Sequence, residues 1–292
     1  MPNLSHNYNC SNSTEPAAVQ TVARAAGQRG ELRLGFSRRG ERTVLGERRW
    51  TAPFGSVRTH YPDGTGTAEV QITNPSGGIL GGDRLETHVS LEPGASATLL
   101  TQGAGKAYRG PAARQTAAFD LAEGAFLEYL PHHLIPFRGS SLQAETTFSL
   151  AAGATLVAWE AYAAGRVARG ERFLFDRLST RTRASREGVP QALDGFDLAG
   201  SASSGYEPFG GSSYFGTLLV LASGELTPLA EGLHNALSEI PRTLASASSP
   251  APGVCGVRVL ARDAPALYRT LNAARRSVRE ALDLPAPPRE VS

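Results

Sequence analysis

Three glutamates, Glu128, Glu160 and Glu171, stand at comparable places in the middle of the chain, and carboxylates that face one another could share acid and base work in hydrolysis. Glu128 and Glu160 lie inside apolar runs (FLEYL and VAWEAY), where a carboxylate needs a partner or shifts its pKa. Salt bridges to the arginines of the recurring Arg-Gly pairs, Arg109, Arg138 and Arg169, are the structural alternative. Neither a Gly-x-Ser-x-Gly elbow nor a His-Glu-x-x-His helix accompanies these residues. The adjacent imidazoles of His132 and His133 suit first-row divalent ions, but strand neighbours point to opposite faces, so both reach one ion only from a turn.

The glycines invite a nucleotide reading that their context rejects. Gly77, Gly78, Gly81, Gly82 and Asp83 lead into a strand pattern, whereas a phosphate loop leads from a strand into a helix. Gly103-Ala104-Gly105-Lys106 has Leu100 where a Walker A loop has its first glycine and Ala107 where it has Ser or Thr. These glycines read as bends where backbone must pass closely, with Asp83 capping the turn. Lys106 is the single lysine beside 28 arginines. Alternation puts it on one face with Tyr108 and puts Arg109 on the other, and its compact ammonium is something a guanidinium does not reproduce.

The elements that must carry these residues are strands. Leu85, Thr87, Val89 and Leu91 alternate with polar neighbours up to a Glu92-Pro93-Gly94 turn. The phrase then recurs as LEPGA at Leu91, LAEGA at Leu121 and LAAGA at Leu150, spaced 30 and 29 residues apart. Each copy is followed by an apolar run and later by an Arg-Gly pair, at Arg109, Arg138 and Arg169. A unit of this size cannot bury its apolar face alone, which predicts stacking. The expected fold is all-β, a two-layered β-sheet superhelix or β-helical scaffold, with one or two peripheral α-helices.

Residues 1–20 read as a disordered tail, 21–283 as a single domain and 284–292 as a Pro-rich tail. A helix is expected at 264–283, with Arg269, Arg275, Arg276 and Arg279 outward, and a second at 227–240. The Gly- and Ser-rich text between Arg177 and Ser213 reads as a surface excursion. A net charge of +2 gives no basis for nucleic acid or membrane binding, no apolar run is long enough to span a bilayer, and the start lacks a signal-peptide core, so the expected location is cytoplasmic. Cys10 and Cys255 form no paired motif, and the Asn-x-Ser/Thr triplets at Asn3 and Asn12 read as chance.

Four blocks carry a resemblance. NPSGGILGGDRL (Asn74–Leu85), LEPGASATLLTQGAGKAYR (Leu91–Arg109), LEYLPHHLIPFRGS (Leu127–Ser140) and WEAYAAGRVARGERF (Trp159–Phe173) resemble, in order and spacing, the signature blocks of the UreD/UreH family of urease accessory proteins. The resemblance implies a non-enzymatic scaffold or chaperone that binds UreF and, through it, the GTPase UreG, and docks on apo-urease, as a homodimer within the accessory complex. It implies nickel in transit along a polar internal passage, with no cofactor held tightly. Carried over by residue, the family's signature covers Asp83, Lys106, Tyr108, Arg109, Glu128, Trp159, Glu160, Arg166 and Glu171, with Gly77, Gly78, Gly81, Gly82 and Gly165 among the backbone positions. All but Trp159 and the glycines are channel or interface candidates. His132 and His133 fall where the family pattern is loose and would touch nickel transiently at most. A β-solenoid hydrolase or lyase, or a ligand-binding β module, remains the alternative; such an enzyme would turn over substrate alone.

Overall fold

The computed structural model describes residues 27–55, 58–200 and 208–292, so the expected tail at 1–20 lies outside it. In chain order the strands are β1 (Arg29–Arg39), β2 (Arg42–Trp50), β3 (Thr59–His60), β4 (Ala68–Ile72), β5 (Arg84–Leu91), β6 (Ser96–Thr101), β7 (Gly105–Ala107), β8 (Ala113–Leu121) and β9 (Phe126–Leu130). There follow β10 (Leu134–Pro136), β11 (Ser141–Leu150), β12 (Thr155–Ala163), β13 (Arg177–Arg186), β14 (Val189–Ala199) and β15 (Tyr214–Leu221). Helix α1 (Thr227–Ser238), β16 (Thr243–Ala251), β17 (Val254–Ala261) and helix α2 (Ala264–Ala281) complete the chain.

Each recurring five-residue phrase ends a strand in one sheet and turns the chain into the other. Gly94, Gly124 and Gly153 take the left-handed conformation that these turns require (φ 67, 63 and 67°), which costs glycine nothing sterically. Successive turns also bond to each other, Gly94 N–H to Glu123 O at 2.9 Å and Gly124 N–H to Ala152 O at 3.2 Å. The outer sheet has the order β14-β13-β11-β8-β5-β1-β2, and the inner sheet runs β16-β17-β15-β12-β9-β6-β4-β3, with β7 and β10 appended to it.

The expected superhelix does not extend through the molecule. Parallel, in-register pairing holds among β1, β5, β8, β11 and β13 and among β4, β6, β9 and β12, but β2 and β14 close the outer sheet and β15, β17 and β16 extend the inner one antiparallel. The result is mostly β, with two mixed sheets and two helices, and it is not a solenoid. The text from Arg177, expected as a surface excursion, begins instead with the β13–β14 hairpin. Its Glu187-Gly188 turn has both φ values positive (48 and 78°), matching the right-handed twist of the strands.

Two cores explain the two sequence patterns. Between the sheets pack Leu34, Val89, Phe119 and Phe148 from the outer sheet and Leu99, Leu127 and Leu156 from the inner one. The outer sheet's other face meets water, hence its alternation. The inner sheet is covered on its far side by α1 and α2, through Trp159, Val220, Val257, Leu233 and Leu271, so its strands read as nearly continuous apolar runs. Asp263 caps α2 by accepting from Ala266 N–H at 2.8 Å. Beyond α2 the chain folds back along the helix, where the Asn272 amide clamps both backbone groups of Val291 (2.7 and 3.1 Å) and Arg289 reaches Glu69 at 2.6 Å.

Candidate functional site

Two in-register rows of side chains face each other across the space between the sheets. On the outer sheet Thr87, Ala117, Thr146 and Thr182 are successive register partners on β5, β8, β11 and β13, and the hairpin adds Asp194 on β14. On the inner sheet Glu160 on β12 pairs with Thr217 on β15, which pairs with Arg258 on β17. Directly paired residues share a face, so register alone aligns these groups. Three bonds join the rows: Thr146 Oγ1 and Thr182 Oγ1 donate to Glu160 Oε1 at 3.2 and 2.8 Å, and Arg258 Nη2 donates to Asp194 Oδ1 at 2.5 Å.

Glu160 lies where two cavities meet. One, of about 370 Å³, runs past Tyr129 and Tyr162 to Gly78, Lys106 and His132; the other, of about 330 Å³, runs past Thr182 and Thr217 to Asp194 and Arg258. Glu160 lines both. Its side chain is half-buried. Burial pushes its carboxyl pKa up against the opposing hydrogen bonds of Thr182, Tyr162 and Thr146, and no cationic side chain pairs with it among the described residues. Burial, then the Glu160 charge, raises the phenols of Tyr129 and Tyr162 as well, which keeps them protonated.

Glu128 has the opposite surroundings. It faces α2, where Arg275 Nε and Nη2 donate to its two oxygens at 3.0 and 2.6 Å, Arg279 Nη1 lies 2.9 Å away and Thr98 Oγ1 donates at 3.2 Å. All three charged groups are buried. Burial alone would raise the Glu128 carboxyl, but the hydrogen-bonded Arg275 and the charge of Arg279 outweigh it and hold the pKa below the usual carboxylate range. The facing arrangement of glutamates that the alternative hydrolase reading needs is therefore not formed by Glu128 and Glu160. Glu128 follows Leu121 by seven positions and Glu160 follows Leu150 by ten, so strand alternation sends them to opposite faces of the inner sheet.

Glu171 belongs to neither site. It receives both Arg166 Nε (2.7 Å) and Arg166 Nη2 in a two-pronged pair that staples the loop after β12, and that hydrogen bonding lowers its pKa. Arg166 also lies over the Phe137 ring, 4.5 Å from its centroid.

The remaining candidates mostly hold backbone. Asp83 is buried and accepts from Gln28 N–H and Leu80 N–H, both at 2.8 Å, as a cap of the glycine loop. A side chain at Gly78 would meet the Lys106 carbonyl at 2.5 Å and the Tyr108 ring at 2.7 Å, and one at Gly81 would meet the Gly110 Cα at 2.5 Å. Tyr108 donates to Gly77 O at 3.3 Å and packs edge-on against Phe137. Arg109 is exposed and bridges to Ser140, while Lys106 lines the first cavity. His132 lies between Thr101 Oγ1 and the backbone oxygen of Ser292, and His133 between Tyr268 Oη and the Tyr214 ring, so the two rings are engaged by different partners. Burial lowers both, His133 to about 4. Among the described residues no group of three or more His, Cys, Asp or Glu side chains could hold a metal ion, and no helix is long and apolar enough to cross a membrane.

A family model described as UreD urease accessory protein matches residues 28–292. The chain belongs to this family. It is similar to proteins named urease accessory protein UreD from Alkalilimnicola ehrlichii, 37% identical over 90% of this chain and 91% of the relative, and from Pseudomonas putida, 36% identical over 93% and 96%. A third, from Dechloromonas aromatica, is 37% identical over 73% of this chain and 80% of its own length. Membership in an accessory family places the chain in urease maturation.

Sequence reasoning missed the residues that complete both glutamate sites. Arg275 and Arg279 read as outward positions of an amphipathic helix, yet they are 2% and 3% exposed. Their spacing of four from Leu271 and from each other was the available signal, since it puts all three on one helix face. Asp194, Thr182 and Arg258 carry no local motif and are assembled by sheet register alone.

Proposed function

We propose that this chain is a non-catalytic, cytoplasmic scaffold for urease maturation that binds UreF and, through it, UreG, docks on apo-urease, and supports nickel delivery along the passage between its sheets. The supporting observation is the half-buried Glu160, joined to hydroxyl groups and, among the described residues, to no counter-ion, and lining two cavities. Carboxylate and hydroxyl oxygens bind nickel less firmly than an imidazole or thiolate cluster, which suits a cargo that must leave. Asp83 and Glu171 serve this reading as supports, because each is engaged in holding a loop.

The test is co-expression with apo-urease and the other accessory proteins in nickel-containing cells. Glu160→Val should lower urease activation while pull-down of the partners is retained. Activation equal to wild type would sink the passage reading. Equal activation with this gene deleted would sink the maturation role itself.

A further inference from the structure

Charge is unevenly spread over the outer sheet. Residues 29–50, which form β1 and β2, hold seven arginines and three glutamates, a net +4, so the rest of a chain of net +2 carries −2. All seven arginines are exposed. Register sets arginine directly opposite arginine twice, Arg33 with Arg49 and Arg39 with Arg42, and like charges so placed oppose the pairing of their strands. Among the described residues the one ion pair made by these four joins Arg33 to Glu31. The foot of β2 borders a groove of about 410 Å³ lined by Glu31, Arg33, Arg48, Arg49, Trp50 and Thr51, three guanidiniums to one carboxylate. Trp50, beneath the Arg48 guanidinium, is 39% exposed. β2 ends its sheet, and no described strand pairs with its far side. The first half of that edge is covered, since Thr43 N–H donates to Gly66 O and the Tyr61 hydroxyl to Thr43 O, both at 2.9 Å. At the other end Thr51 N–H donates to Glu31 O, and antiparallel alternation then turns the backbone groups of Trp50 away from β1.

We propose that the β2 edge from Leu45 to Trp50 docks an extended, acidic segment of a partner protein, laid beside β2 as an added strand with its carboxylates on Arg33 and Arg49. The proposal rests on the scaffold reading for the existence of a partner, and it adds where such a partner binds and what its segment must carry. Charge selects the occupant. The same edge of a second copy is repelled, and a neutral strand gains nothing from the guanidiniums. A carboxylate takes two parallel N–H bonds from a guanidinium, and an anion between Arg33 and Arg49 removes the repulsion that their register imposes. Trp50 offers an exposed ring to the segment's apolar stems. An open strand edge reads a peptide backbone, which favours a protein segment over a nucleic acid or a lipid surface.

Titrating the full chain into a dye-labelled peptide of alternating Glu and Thr, read by anisotropy at low salt, tests this, with the same peptide carrying Gln for Glu as control. The Glu peptide should bind and the Gln peptide should not. Arg49→Gln should weaken binding on the order of fivefold, the factor that loss of an exposed pair allows, and Arg33→Gln with Arg49→Gln should weaken it further. Arg49→Gln should leave the urea midpoint at or above that of wild type, because it removes a like-charged pair. The proposal is overturned by a wild type that binds neither peptide or both equally, by a double variant that binds as well as wild type, or by tighter binding to a thymidine oligonucleotide or to phosphatidylserine vesicles. Pull-down of the co-expressed maturation partners separates this from the scaffold reading. Partners absent from the wild-type pull-down count against the scaffold, whereas partners held equally by wild type and double variant overturn the docking edge alone.

Discussion

Glu128, buried, and Glu160, half-buried, stand on neighbouring strands of one sheet, yet the first is held by two guanidiniums and the second, among the described residues, by hydroxyl groups. The difference follows from which side of the sheet each faces. The helix side offers α2, whose long arginines can bury their stems and aim their heads at an anion. The sandwich side gives Glu160 the hydroxyl groups of Thr146 and Thr182 and a neighbouring cavity, and the nearest guanidinium of its row, Arg258, is taken by Asp194. A buried acid that is fully paired holds the helix to the sheet, whereas Glu160 keeps its oxygens beside a cavity.

The largest expected effect comes from breaking the paired site. Glu128→Ala leaves two buried guanidiniums without an anion and should cost about 3–5 kcal/mol in urea unfolding, while the triple change Glu128→Leu, Arg275→Met, Arg279→Met should cost much less. Equal costs would show that the charges are not buried together as described. Next comes the cover of that site: Asn272→Ala strands both backbone groups of Val291 and should cost about 1–3 kcal/mol in the same measurement.

The unpaired site should respond in the opposite sense. Because the folded pKa of Glu160 is raised, the native state binds the extra proton, so stability falls as pH rises from the unfolded value near 4.5 through the folded one. Glu160→Gln should therefore be neutral in acid and stabilising at neutral pH, and a urea midpoint that moves the same way at pH 4 and pH 8 would contradict the assignment. Glu128 runs the other way, its contribution present above the unfolded pKa and lost as pH falls through the lowered folded value. The smallest effect belongs to the exposed pair Arg177–Asp197, where Arg177→Ala should leave the urea midpoint within error of wild type, the more so at high salt.

Much of the architecture was open to reading because it is local. The phrases at Leu91, Leu121 and Leu150 announce their turns through a glycine that must take positive φ, and the alternation in Arg84–Leu91 announces a sheet wet on one side. Gly81 and Gly78 were legible as points of close approach for the same reason. The superhelix was over-read, since a repeat of three units says nothing about the antiparallel strands that flank it. The glutamate ladder failed on a countable feature: offsets of seven and ten from equivalent leucines differ by an odd number, and an odd difference on a strand means opposite faces.

What the sequence by itself determined is the alternating strand ending at Leu91, the recurring glycine turns, the two helices and the family likeness, all of which depend on residues within a few positions of each other. Only the tertiary structure decided that Glu128 meets Arg275 across 147 positions, and that Glu160, Thr182, Asp194 and Arg258 line one passage. Alternation and turn chemistry are properties of a short stretch of backbone. The partner of a buried charge is set by which sheet or helix closes over it, and that is a property of the whole packed chain.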